Sequence, residues 1–325
     1  MLTRSRLVRT ALTLAAGSLL SSALMAADAW PSKPIRLIVP YPPGGSSDII
    51  ARSIGQIMAQ DLKQSVVIEN KPGANGNLGA EFVARAQPDG YTWLLCDLGA
   101  LAISPSIYTK LSFDPSKDLR GTAMLAYSPH MLVVHPSVQA KNLQELVDLS
   151  KKQDLNFAVT ATGSAPHLAG VELARLTGAK WVYVPYKGGV QSIQDTVAGQ
   201  TQVLMNGMLA TYPHVQSGKL KLLGISKNAR MPLIADVPTL AEQGAKGFES
   251  GTWQGVVLPG KTPDAIVQRV NQALLTAIRT PEVRARLTGQ GAEVVTMTPA
   301  ETDKFFQAER ARWRTVVQAA KLQLD

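Results

Sequence analysis

Cysteine is almost missing. Cys96 stands alone in 325 residues, so no internal disulfide can form and packing must hold the fold. Histidine is scarce too. His130, His135, His167 and His214 never fall at His-x-x-x-His spacing, and no Cys-x-x-Cys occurs, which leaves a metal site without support. Aromatics make up 6% of the chain. No run of Lys and Arg is interleaved with them, which argues against a nucleic-acid partner. No Gly-x-Ser-x-Gly elbow surrounds Ser164, because the local sequence is Gly163-Ser164-Ala165-Pro166. The glycine-rich loop at 70–79 has G-x-x-G-x-x-G spacing with no Gly-Lys-Ser/Thr after it. It is neither a P-loop nor a dinucleotide fingerprint. No cofactor and no catalytic group is implied.

Long apolar runs are absent beyond the start. Arg4, Arg6 and Arg9 precede an apolar stretch from Leu12 to Leu24, and small residues follow at Ala26, Ala27 and Ala29. This is the pattern of a signal peptide over 1–27, too short for a membrane span. Its removal takes three arginines and no acid, so the formal charge goes from +9 to +6. That mild excess suits an anionic solute. Export also implies an oxidising compartment, one in which this chain forms no internal bridge.

The stretch Tyr41-Pro42-Pro43-Gly44-Gly45-Ser46-Ser47-Asp48 is the most informative. The apolar run Ile35 to Val39 before it reads as a buried strand, and Ile49, Ile50, Ile54, Ile57, Met58 and Leu62 behind it fall near helical spacing. Ser46, Ser47 or Asp48 suits the helix N-cap. Bare glycine backbone next to a helix start, with its free N–H groups, is a place to hold a carboxylate.

Strand and helix patterns alternate through the rest, which predicts an α/β fold. Gly-, Ser-, Thr- and Asn-rich loops recur at strand carboxyl ends, the edge where open α/β sheets bind ligands. Two groups of these loops, 41–48 with 97–100 and 160–164 with 186–191, face each other across a cleft if the chain forms two lobes. A strand is expected at Met131 to Val134, a helix near Leu143 to Lys152 opened by Asn142 and Glu145, and a short helix at Val237 to Glu242. A further strand is expected from Trp253 to Leu258, and three helices close the chain near 263–279, 281–288 and 299–320.

Six motifs occur in order: Tyr-Pro-Pro-Gly-Gly-x-x-Asp (41–48), Asn-Lys-Pro-Gly-Ala-x-Gly-x-x-Gly (70–79), Pro-His-Leu-Ala (166–169), Val-Pro-Tyr-Lys-Gly-Gly (184–189), Val-Pro-Thr-Leu-Ala-Glu-x-Gly (237–244) and the Trp253 to Pro263 segment. With them the chain resembles, over residues 30–325, the Bug proteins, solute receptors of tripartite tricarboxylate transport systems. The resemblance implies a type II periplasmic binding protein. Two α/β lobes, 30–126 with 227–325 and 127–226, would be joined by a two-strand hinge around a ligand cleft. It implies a periplasmic, monomeric receptor that takes a di- or tricarboxylate, an acidic amino acid or an aromatic acid to membrane permease subunits.

Carried onto this chain, the resemblance implies a first-lobe clamp of Gly44, Gly45, Ser46, Ser47 and Asp48. The second-lobe clamp would be Thr160, Ala161, Thr162, Gly163 and Ser164, with Lys187, Gly188 and Gly189 nearby. Asp48 is expected to order its loop, since two negative groups repel. Asp97, if it points into the cleft, would accept from a ligand amino or hydroxyl group. The chain departs from many relatives at Ala158-Val159, which removes a hydroxyl, and at Asn206, where an uncharged amide replaces Asp. A receptor that reports to a membrane sensor kinase is the variant within this class. A secreted enzyme on the same scaffold would need a nucleophile–base pair or metal ligands, and none is visible.

Overall fold

A computed structural model describes residues 30–320 and 322–324, so the signal-peptide reading of 1–27 lies outside the described residues. The first part of the chain runs β1 (Ile35–Val39), α1 (Ser46–Leu62), β2 (Val66–Asn70), α2 (Asn77–Ala84), β3 (Thr92–Cys96) and α3 (Ser104–Ile107). A long strand follows, β4 (Leu119–Val134). The middle is α4 (Leu143–Ser150), β5 (Asn156–Val159), α5 (Ala165–Thr177), β6 (Val182–Pro185), α6 (Gly189–Val197), β7 (Val203–Gly207), α7 (Met208–Gln216) and β8 (Lys221–Ile225). The last part holds β9 (Gly251–Pro259), α8 (Asp264–Arg279), α9 (Pro281–Gly289), β10 (Glu293–Val294) and α10 (Pro299–Ala320).

The strands order as β2-β1-β3-β9-β4-β7-β5-β6, with β8 and β10 also paired to β4. The β4 strand belongs to two lobes. Residues 119–129 pair antiparallel with β9, while 130–134 pair with β7 and 131–134 with β8. Each lobe buries both faces of its sheet. In β1, Ile35, Leu37 and Val39 enter one core cluster and Ile38 the other. In the second half of β4, Leu132 and Val134 face one cluster, and Met131 and Val133 the other. Strands covered on both sides read as continuous apolar runs, which is why β1 was plain in the sequence.

Several expectations need correction. The strand expected at 131–134 is the end of a 16-residue strand. The short helix expected at 237–242 is a turn: Thr239 and Glu242 do cap each other (Thr239 N–H to Glu242 Oε2 at 2.6 Å, Glu242 N–H to Thr239 Oγ1 at 3.0 Å), but no helix continues from them. Segment 237–248, put in the first lobe by the sequence division, packs on the second. Leu240, Ala245 and Phe248 join its core, and Gln243 Nε2 donates to the Leu223 carbonyl at 2.8 Å. Asn142 caps α4 as expected, accepting from the Glu145 N–H at 2.8 Å.

The lobes meet at a node of three segments. The one hydroxyl hydrogen of Ser226 is shared between the carbonyls of His130 (Oγ at 2.8 Å) and Ser250 (Oγ at 2.6 Å), and the His130 N–H donates to the Ser250 carbonyl at 3.1 Å. This stitches β4, the end of β8 and the start of β9 together beside the cleft.

Candidate functional site

The cleft between the lobes narrows to ≈ 40 Å³, far below the space a drug-sized ligand needs. Its walls come from three places. The first lobe supplies Tyr41, Pro42, Gly45, Ser46, Ser47, Asn75 and Asp97. The second supplies Thr160, Ser164, Pro166, Gly189, Asn206 and Ala210. Thr252 and Gln254, on β9, close it behind.

Four helices begin at these walls: α1 after Gly45, α5 after Ser164, α6 after Gly188 and α7 after Gly207. No side chain caps α1 or α6, while Ser128 Oγ accepts from the Leu209 N–H in the first turn of α7 at 3.0 Å. The α1 and α6 starts, which put Gly45, Ser46, Ser47 and Gly189 on the walls, therefore keep free first-turn N–H groups and positive dipole ends at the cleft. No Lys, Arg or His lines it, and Asp97 is its one charged side chain among the described residues.

The structure gathers Gly45, Ser46, Ser47, Asp97, Thr160, Ser164, Gly189 and Asn206 around this space and leaves out the other residues singled out in the sequence. The N-cap of α1 is Gly45, not a serine or Asp48. Asp48 points away. Its carboxylate accepts from Gly44 N–H (2.9 Å), Arg52 Nε (2.9 Å) and Nη2 (3.0 Å), and Asn70 Nδ2 (3.0 Å). Burial pushes its pKa up, but these donors more than offset that and hold it below the usual range. Asp48 thus orders the loop and occupies the Gly44 N–H.

Ala161 and Thr162 are half-buried outside the cleft walls, and Lys187 is exposed. Gly163 donates its N–H to His167 Nδ1 at 3.0 Å, and its carbonyl accepts from Asn75 Nδ2 at 3.1 Å across the cleft. Gly188 lies against Pro42: a Cβ there would sit 2.6 Å from Pro42 Cδ. Thr160 Oγ1 donates to Asn206 Oδ1 at 3.4 Å, leaving the Asn206 Nδ2 to donate elsewhere.

Sequence reasoning missed Asn75, Thr252 and Gln254. Gln254 is the most telling, because it is fully buried and neither its Oε1 nor its Nε2 finds a protein partner. Buried amides nearly always have partners, so one unpaired on a cleft wall marks a group that meets a ligand or water. The signal available was a glutamine inside an apolar strand run.

Thr252 is held from behind. His130 is fully buried, with Nε2 at 2.8 Å from Thr252 Oγ1 and Nδ1 at 3.0 Å from Ser250 Oγ. Burial pushes its pKa down to about 3, so it stays neutral when folded. The unfolded chain protonates near 6.5 and then binds the extra proton, so stability falls as pH drops from about 6.5 toward 3. Urea unfolding at pH 7 and pH 5 is expected to lose about 2 kcal/mol more in the wild type than in His130→Gln. Equal losses would mean that His130 charges freely in the fold.

This is the fold of the two-lobe periplasmic binding proteins. The periplasmic binding protein BugD superposes with a TM-score of 0.87 at 30% identity, covering 90% of this chain and 99% of that one. A family model described as the tripartite tricarboxylate transporter family receptor matches residues 50–322, and the chain belongs to that family. BugT of Bordetella pertussis is 34% identical over 300 residues, covering 91% of this chain and 92% of BugT. MatC from Rhodopseudomonas palustris, with bound malate, superposes with a TM-score of 0.84 at 34% identity, covering 89% of this chain and 100% of MatC. The family and these neighbours are solute-binding proteins, and the chain is similar to them along nearly its whole length. Among the described residues no helix is long and apolar enough to cross a membrane, and no three acidic, His or Cys side chains cluster as metal ligands.

Proposed function

We propose that this protein is a periplasmic receptor, working as a monomer, that closes two lobes on a small carboxylate and delivers it to a tripartite tricarboxylate transporter permease. One observation carries the reading: four helix N-termini converge on a narrow cleft that has no cationic side chain. Backbone N–H groups and helix dipoles hold a carboxylate without a counter-ion. Ser46 and Ser47 with the α1 start would take it from the first lobe. Thr160, Ser164, Gly189 and the Asn206 amide would take it from the second, and Gln254 would give or accept one further bond. The malate bound to MatC supports the ligand class.

The lobes are proposed to divide at Pro129–His130 on β4 and near Ser250–Gly251 on the return. The ligand would work by stabilising the closed arrangement of a hinge motion. A thermal-shift panel of mono-, di- and tricarboxylates, acidic amino acids and aromatic acids on refolded, ligand-stripped protein tests the proposal. Binding to the folded state raises the melting temperature by mass action. At least one acid is expected to shift it; no shift with any acid would overturn the receptor reading.

A further inference from the structure

The proposed carboxylate grip accounts for the donors in the cleft but not for its acceptors. Asp97 uses one oxygen twice: Oδ1 accepts from Tyr41 Oη at 2.7 Å and from the Gly99 N–H at 2.7 Å. Among the described residues its Oδ2 has no donor. Asn75, which is 7% exposed, lines the same wall, with its backbone carbonyl 3.4 Å from the Tyr41 Oη whose one hydrogen goes to Asp97. The Asn75 Nδ2 donates to the Gly163 carbonyl, which fixes the amide so that Oδ1 is the free end, and that oxygen is buried without a partner. Two acceptors on the first-lobe wall, one of them anionic, therefore have nothing among the described residues to accept from.

We propose that Asp97 and Asn75 receive a protonated amine, so that the ligand of this receptor is an amino acid whose carboxylate is held by the helix N-termini. The inference rests on the carboxylate reading above and narrows its substrate class. An ammonium has three donors and no acceptor, the complement of this wall. Charge decides the rest. A plain dicarboxylate would bring two negative charges into a desolvated cleft that already holds Asp97 and has no cation, and uncompensated charge there is costly. An amine next to the carboxylate supplies the missing positive charge. A hydroxyl would satisfy one acceptor and leave the charge unbalanced.

Tyr41 keeps the dyad in the right state. Burial, with the Asp97 charge beside it, pushes the phenol well above its ordinary pKa, so Tyr41 stays a donor to Oδ1. Burial also raises the Asp97 pKa, against the pull of its two donors, and a bound ammonium lowers it again.

Calorimetry with succinate, malate and aspartate varies only the group facing Asp97. Glutarate and glutamate repeat the comparison one carbon longer. In the wild type the amino acid of at least one set is expected to bind at least tenfold tighter than its unsubstituted acid and than malate. In Asp97→Asn that preference is expected to vanish, through weaker amino-acid binding with succinate unchanged or improved. Succinate or malate binding as tightly as aspartate, with glutarate matching glutamate, would overturn the amine assignment while leaving the carboxylate receptor intact. So would an Asp97→Asn variant that weakens every acid equally. Failure of all five acids, together with the wider panel, would instead remove the carboxylate reading itself. The wild-type comparison stands even if the variant folds poorly.

Discussion

Gln254→Met is expected to give a protein that is more stable without ligand and nearly unable to bind it. The glutamine sits on β9 at zero exposure with both amide atoms unpartnered. Leaving a buried polar group unpaired costs about 1–3 kcal/mol, part of which water recovers when the cleft opens. Methionine has nearly the same length, is flexible and carries no strong donor or acceptor, so it fills the place without that cost. The ligand-free protein is therefore expected to gain about 1 kcal/mol in urea unfolding. Binding should move the other way. A ligand group that would have met the amide then faces a thioether, and affinity is expected to fall by about tenfold or more. The pair of measurements separates function from fold. Loss of stability together with affinity would mean that Gln254 is structural, and unchanged affinity would remove it from the site.

The same residue explains what could not be read in the sequence. A polar side chain inside a strand ordinarily marks a solvent face, and nothing local says that the faces of Thr252 and Gln254 look into a cleft formed by distant loops. The β4 strand was half hidden for a related reason. Residues 119–130 mix Arg120, Gly121, Ser128 and Pro129 with apolar positions because the strand changes lobes and partners along its length, so no single periodicity survives.

Loops at strand ends were legible because Gly44-Gly45-Ser46-Ser47 and Ala161-Thr162-Gly163-Ser164 each sit between an apolar run and a helical pattern, which fixes their place at the carboxyl edge. Which atoms of those loops face inward was not legible. Asp48 belongs to the same loop as Ser46 and Ser47, yet Arg52 and Asn70 turn its carboxylate away, and those partners lie four and twenty-two residues along the chain. The Thr239–Glu242 pair shows the reverse case. The capping chemistry is real, but Gly244 and Gly247, both at positive φ, stop a helix from following.

Gly188→Ala is expected to weaken ligand binding by about tenfold without destabilising the ligand-free protein. Gly188 has φ 174°, extended backbone that any residue adopts, so alanine brings no strain of its own. What a methyl meets is the opposite lobe: Pro42 Cδ at 2.6 Å and Cγ at 2.9 Å, nearer than a real Cβ ever comes. Pro42 precedes α1, and its ring is held by the chain on both sides, so it cannot swing clear as the end of a long side chain would. The clash exists only when the lobes are closed. A ligand that stabilises the closed arrangement must then overcome it, and each 1.4 kcal/mol of closed-state penalty is about tenfold in apparent affinity. The loss should lie mainly in a faster off-rate, because an open cleft is entered as before. Thermal unfolding without ligand should match the wild type. Stopped-flow binding and unfolding of the same preparation check both halves. Undiminished affinity would mean that ligand binding does not require the Pro42–Gly188 contact, and the closed cleft would then have to be looser there than its glycine implies.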